Sequence, residues 1–169
     1  MASSPSVRRV AEQLAARGLG DRIVELADST RTAKMAASAL GCRVEQIVKS
    51  LVFRGARSDR PILVVASGGN RVDEARVSAL VGEPIAKADA AYVRARTGFA
   101  IGGVPPLAHS EPPTILVDED LLAYRELWAA AGSPFTVFRL TPEELLAITE
   151  GTLASVAERD ANAERDANH

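Results

Sequence analysis

The chain has 169 residues, 47% of them hydrophobic and 25% charged, and a formal net charge of −2. That balance suits one folded domain with its own core and excludes a chain disordered throughout. The single cysteine, Cys42, excludes an internal disulfide and a cysteine-based metal cluster, and no apolar run approaches the roughly 20 residues that span a bilayer.

The first residues, MASSPSVRRVAEQL, lack an apolar signal core and read as the start of a helix, so a cytoplasmic protein is expected. Pro5 after Ser4, with Val7, Val10 and Leu14 at helical spacing, predicts a helix running to Gly18 or Gly20. RIVELA (22–27) predicts a strand. Thr32 caps a short helix over AKMAASAL, closed by Gly41. Residues 44–48 predict a helical turn and 50–54 a strand. GARSDR is a polar turn, and PILVVAS, apolar throughout, a buried strand. SGGN turns the chain, Asp73 caps a helix over EARVSALVG, EPIAKAD is extended, and Asp89 caps AAYVRARTG.

A Gly/Pro loop, TGFAIGGVPPLAH (97–109), follows. It packs three glycines and two adjacent prolines into thirteen residues, which excludes a helix or a regular strand. PTILVDE predicts a strand, DLLAYRELWAAAG a helix ending at Gly132, and FTVFRL a strand. TPEELLAI has the strongest helix start: Thr141 as cap, Pro142 first, Glu144 three residues after the cap. Strands and short helices alternate without a regular βαβ rhythm, which predicts a single α+β domain with a mixed, mostly antiparallel sheet surrounded by short helices.

The last twelve residues, ERDANAERDANH, repeat ERDAN and hold four acids against two arginines, leaving equal numbers of either sign in the remainder. They read as a charged, disordered tail over 158–169 behind a folded unit over 1–157. A neutral body argues against broad nucleic-acid binding, DNA included, but leaves room for a local contact with one nucleic-acid end.

Familiar catalytic motifs are absent, the P-loop, nucleophile elbow and H-E-x-x-H among them. SGGN admits a phosphate-binding reading, but a tight turn explains it as well, Arg71 being the only support. Cys42 reads as a small residue at a helix end. His169 lies in the tail, so His109 is the one histidine of the body, which disfavours a histidine triad or a two-histidine metal site. His109 is left between a loop-fixing hydrogen bond and a functional contact. Seventeen of twenty basic residues are Arg, the exceptions being Lys34, Lys49 and Lys87. Lys49 is the sharpest candidate, at the mouth of an apolar strand in IVKSLVF. A snorkelling surface lysine is the plain alternative; an ammonium in an apolar setting can partner a carbonyl or phosphate oxygen.

TAKMAASALGCRVEQIVKSLVF, followed some fifty residues later by TGFAIGGVPPLAH, resembles the YbaK family, relatives of the editing domain of prolyl-tRNA synthetase. The resemblance rests on Leu40 and Gly41 ending a helix, Lys49 before an apolar strand, the G-x-x-x-P loop 102–106, and LTPEELLAITEGTLASV near the end. It covers residues 5–157 and implies a barrel-like sheet and a free-standing aminoacyl-tRNA deacylase, needing no metal or other cofactor. Such an enzyme hydrolyses the ester of a mischarged tRNA with a positioned water, assisted by the 2′-hydroxyl of the tRNA. The residues so implied are Lys49, Gly102 and Gly103 for catalysis, with Thr30, Met35, Phe53, Val104, Pro106 and His109 binding substrate. The partner is the acceptor end of an aminoacyl-tRNA, carrying a small amino acid such as Ala, Cys or Ser, with tRNA-Pro one candidate. A synthetase is a second candidate partner, and Arg54, Arg57, Arg71 and Arg76 are candidate tRNA contacts. The rival reading is a non-catalytic module that binds an aminoacyl-tRNA end or a synthetase.

Overall fold

The computed structural model of the chain describes residues 4–159. Helix α1 (Pro5–Ala15) begins as the sequence predicts, the Val7 amide donating to Ser4 Oγ at 3.3 Å, and buries Val7, Val10 and Leu14. Helices α2 (Ala33–Leu40), α3 (Glu74–Val81) and α4 (Ala90–Thr97) share one device. Thr32, Asp73 and Asp89 accept from first-turn amides, and Gly41, Gly82 and Gly98 leave each helix in the left-handed region. Helix α5 (Pro142–Thr149) carries a full capping box: the Glu144 amide donates to Thr141 Oγ1 at 3.1 Å, and the Thr141 amide to Glu144 Oε1 at 2.8 Å.

The strands are β1 (Ile23–Glu25), β2 (Ile47–Gly55), β3 (Pro61–Ser67), β4 (Ile85–Lys87), β5 (Thr114–Asp118), β6 (Leu127–Ser133), β7 (Thr136–Leu140) and β8 (Thr152–Ala154). They form one mixed sheet in the order β1-β7-β6-β2-β3-β5-β8, with β4 attached to β2. Antiparallel pairings outnumber parallel ones four to three among the described residues. The path is open, with β1 and β8 at its ends, so the pairings do not show the barrel-like closure that was expected.

One face of the sheet packs Val48, Leu63, Val65, Ala129 and Phe138 against Val10 and Leu14 of α1 and against Phe99, Val104 and Leu107 of the Gly/Pro loop. The loop is therefore part of the core. The other face packs Phe53, Ile62, Val64 and Ala66 against Val72 and Val77. Truncating a buried Leu such as Leu14 to Ala costs about 2–5 kcal/mol in such a setting.

One prediction is overturned. Residues 120–132 are not a helix: a short 3-10 turn (Glu119–Ala123) leads into β6. Alanine favours helix intrinsically, but burial decides here. Leu127, Ala129 and Ala131 point into the core in strict alternation, and β6 is hydrogen-bonded between β2 and β7. Gly132 is no helix cap. With φ +102°, it lets β6 pass against α1, where an added Cβ would lie 2.8 Å from the Ser6 carbonyl oxygen. Strand β2 also starts earlier than expected, at Ile47. The expected tail falls mostly outside the described residues. Within them, the Glu158 amide donates to the Arg71 carbonyl and Arg159 pairs with Asp120 at 3.0 Å.

Candidate active site

Strand β2 is covered unequally on its two edges. Along one edge β3 pairs with it from Val48 to Arg54. On the other, β6 pairs only at Ile47 and Val48, and β4 only from Phe53 to Gly55. Between them Lys49, Ser50, Leu51 and Val52 have no strand neighbour on that side among the described residues. The gap is the floor of a cavity of about 740 Å³. Its walls come from the flanking strands (Lys87 and Trp128 to Ala130), from α2 (Ala33 and Ala36) and from Thr30, with Ile101, Gly102 and Val104 of the Gly/Pro loop opposite.

Lys49 reaches away from the loop. Its Nζ donates to the main-chain carbonyl of Asn70 in the turn after β3. That turn is rigid for identifiable reasons. The Gly68 amide donates to the Ile47 carbonyl at 2.7 Å, and a Cβ on Gly68 would lie 2.5 Å from the Val44 carbonyl oxygen. Asn70 Nδ2 donates to both Asp118 Oδ2 and Asp120 Oδ2 at 2.8 Å. Asp118, wholly buried, also accepts from the Ser67 amide at 3.1 Å and the Asp120 amide at 3.0 Å. Burial pushes the Lys49 ammonium below the ordinary lysine value, with the Asp118 carboxylate pulling the other way.

The loop is held from behind. Arg9 of α1 donates through Nη2 to the carbonyls of Thr97 (3.0 Å) and Ala108 (2.9 Å), tying the two ends of the loop together. Its guanidinium carbon sits 4.5 Å from the Phe99 ring centroid. Gly103 packs on β6, where a Cβ would lie 2.8 Å from Ser133 Cα, and its carbonyl accepts from the Gly132 amide at 3.1 Å.

Of the residues singled out in the sequence, Lys49, Gly102, Thr30, Phe53 and Val104 meet around the cavity. The others do not. The Gly103 amide is engaged with the Ala100 carbonyl at 3.0 Å, so it is not a free donor, and Gly103 supports the loop. Met35 is 44% exposed and points away, α2 turning Ala33 and Ala36 inward instead. Pro106 and His109 line a second cavity of about 430 Å³ behind the loop. His109 Nε2 donates to the Pro105 carbonyl at 2.7 Å, and burial lowers its pKa, which gives it the loop-fixing role. The Thr30 hydroxyl donates to the Pro134 carbonyl at 2.7 Å. Cys42 is half-buried, and burial raises its pKa.

Sequence reasoning missed Asn70, Asp118 and the Trp128 to Ala130 wall. SGGN reads as a tight turn or a phosphate-binding loop, neither of which points to the Asn70 carbonyl, and the expected helix over β6 hides the wall. The cavity's charged lining is lopsided: Arg31, Lys49, Arg71 and Lys87 against Glu74. Arg71 is the one proposed tRNA contact found there. Arg54 is paired with Asp59, and Arg76 with Asp73 and the Ser155 hydroxyl.

The site thus combines a gap in the mixed sheet, a half-buried lysine anchored to the turn after β3, and a lining with four cations against one carboxylate. Residues 27–148 match the aminoacyl-tRNA editing domain. The chain belongs to that family. It is 51% identical to a protein of known structure described as a candidate trans-editing enzyme for prolyl tRNA synthetase, covering 94% of this chain and 100% of that one at a TM-score of 0.86. Bacillus subtilis YwhH, itself uncharacterised, is 32% identical over 73% of this chain and 78% of its own. Enterococcus faecalis EbsC, named as a candidate Cys-tRNA(Pro)/Cys-tRNA(Cys) deacylase, is 24% identical over 76% of this chain and 79% of its own.

Proposed function

We propose that the chain is a trans-editing deacylase that hydrolyses the ester of a mischarged tRNA, with Lys49 as its catalytic residue. The observation that carries this reading is the placement of a half-buried ammonium at the gap in β2, facing a cavity bounded by the Gly/Pro loop. A cavity of this size falls in the range of small-ligand sites and suits an aminoacylated terminal adenosine. The other three cations of the lining, Arg31, Arg71 and Lys87, attract the phosphates next to that adenosine, which lets a chain of nearly neutral body engage tRNA locally.

An ester between an amino acid and a ribose hydroxyl is an activated acyl group, so a positioned water suffices as nucleophile. Water adds to the ester carbonyl, the bond to the ribose oxygen breaks, and that oxygen takes up a proton. Free amino acid and tRNA with its terminal hydroxyls result. Lys49 stabilises negative charge developing on the carbonyl oxygen, and its anchoring to Asn70 means that little reorganisation is needed. The 2′-hydroxyl of the terminal ribose assists the water. Gly102 brings bare backbone to the acyl end. The short methyls of Ala33, Ala36, Ala88, Ala129 and Ala130 give the amino-acid side chain an apolar wall without polar partners, and the side chain it takes is a small one such as Ala, Ser or Cys.

Deacylation of purified tRNAs tests this reading: tRNA-Pro carrying Ala, Cys or Pro, and Ser carried on tRNA-Ala or tRNA-Thr. Rapid hydrolysis of one mischarged species supports it. Binding of the same species without hydrolysis supports a non-catalytic module instead.

A further inference from the structure

We propose that the aminoacyl group docks as a one-residue strand on the open edge of β2, opposite Ser50, and that this pairing recognises the free α-amino group. The inference rests on the deacylase reading only for the identity of the ligand. The edge itself follows from the sheet register.

In an antiparallel ladder, residues alternate between those bonded to the partner strand and those whose N–H and C=O face away from it. The pairing of β2 with β3 is regular from Val48↔Ser67 to Arg54↔Pro61. The bonds flanking it fix the phase. The Gly68 amide donates to Ile47 at 2.7 Å, and the Gly55 amide to Arg60 at 2.9 Å. Odd-numbered residues of β2 therefore bond to β3, and even-numbered residues face the opposite edge. There Val48 is taken up by β6 and Arg54 by β4. Ser50 lies between them. Its N–H and C=O, with the Val52 N–H, face the cavity and join no strand pairing.

Unpaired strand edges bind extended peptide-like groups through the main chain. An α-aminoacyl ester is the smallest ligand that can complete one closed pair. Its ammonium donates to the Ser50 carbonyl, and its ester carbonyl accepts from the Ser50 amide. The pairing reads what all aminoacyl-tRNAs share and leaves side-chain selection to the alanine-lined wall. It also brings the ester carbonyl beside Lys49, the preceding residue. Among the described residues Glu74 is the one carboxylate lining the cavity, and it is the competing acceptor for the ammonium.

The test uses the full chain labelled with 15N and a hydrolysis-resistant probe, adenosine carrying alanine in amide linkage at the 3′ position. Binding is expected to shift the Ser50 amide proton downfield and to slow its exchange by about 10-fold, as one added ladder hydrogen bond would. The propionyl probe, which lacks the amino group, should do neither, and Glu74→Gln should leave both effects in place. In parallel, the wild-type rate enhancement over the uncatalysed reaction is expected to be at least about 100-fold greater for alanyl-tRNA than for propionyl-tRNA, a ratio equivalent to losing a charge-assisted pair. Binding that leaves the Ser50 amide unchanged overturns the proposal, as does a response lost in Glu74→Gln or an equal rate enhancement for propionyl-tRNA and alanyl-tRNA. A Ser50 response in a protein that cleaves no aminoacyl-tRNA upholds the edge and overturns the deacylase reading instead.

Discussion

Lys49 Nζ donates to the main-chain carbonyl of Asn70, and Asn70 is itself fixed by its side-chain amide, 2.8 Å from both Asp118 and Asp120. The position of the ammonium thus depends on a buried carboxylate that does not touch it. Asp118→Ala leaves the buried Ser67 amide without its acceptor, at about 1–3 kcal/mol, and leaves the Asn70 side chain held by Asp120 alone. Both the urea midpoint and the single-turnover rate are expected to fall. Asn70→Ala keeps the carbonyl but frees the turn, so the rate is expected to fall more than the stability. Equal proportional losses in the two variants would contradict a positioning role for Asn70.

Arg9 lies outside the residues matched to the editing domain, yet it ties Thr97 to Ala108 across the base of the loop. Arg9→Met removes two charge-assisted hydrogen bonds, and a loss of about 2–3 kcal/mol is expected in chemical denaturation. Single-turnover deacylation is expected to slow while tRNA affinity holds. A change in affinity alone would show that α1 serves tRNA binding instead.

Gly103→Ala places a methyl 2.8 Å from the Ser133 main chain and drives the loop off β6. Deacylation is expected to fall sharply in a protein that still folds. Gly102→Ala meets only the flexible Arg31 side chain at 3.2 Å but has to adopt φ +96°, at a cost of about 1 kcal/mol or more. Its effect is expected to be the smaller on stability, and denaturation curves of the two variants check the order.

Burial lowers the pKa of His109 below its ordinary value of 6.5. The folded state then binds fewer protons than the unfolded state between the lowered value and 6.5, and stability rises with pH across that window. The His109 contribution is complete above pH 6.5 and is lost as pH falls through the window. His109→Gln is expected to flatten stability between pH 7 and 5, and denaturation at a series of pH values measures the slope. An unchanged slope would contradict a buried neutral His109.

The helix starts are the most legible part of the sequence because capping is local. Thr32, Asp73, Asp89 and Thr141 each cap the helix their spacing announces, whereas the first helix, expected to run to Gly18 or Gly20, ends at Ala15. The alanine-rich stretch of β6 was misread because its partners, β2 and β7, lie far off or beyond it in sequence. Lys49 stood out as a rare lysine at the head of an apolar strand. Its partner is a backbone carbonyl, which no residue type advertises. The gap in β2 is likewise a property of pairing: two short strands stop short of each other on one edge. Pro106 and His109 belong to the same loop in sequence but face its back, on the second cavity.

The central claim is that Lys49 performs the deacylation, and single-turnover hydrolysis of mischarged tRNA by wild type beside Lys49→Ala tests it most directly. The account predicts a loss of about 10²–10³-fold in rate, as removal of one oriented donor typically brings, with an unchanged folded spectrum and tRNA affinity. A Lys49→Ala protein that hydrolyses the same tRNA at the wild-type rate would contradict it.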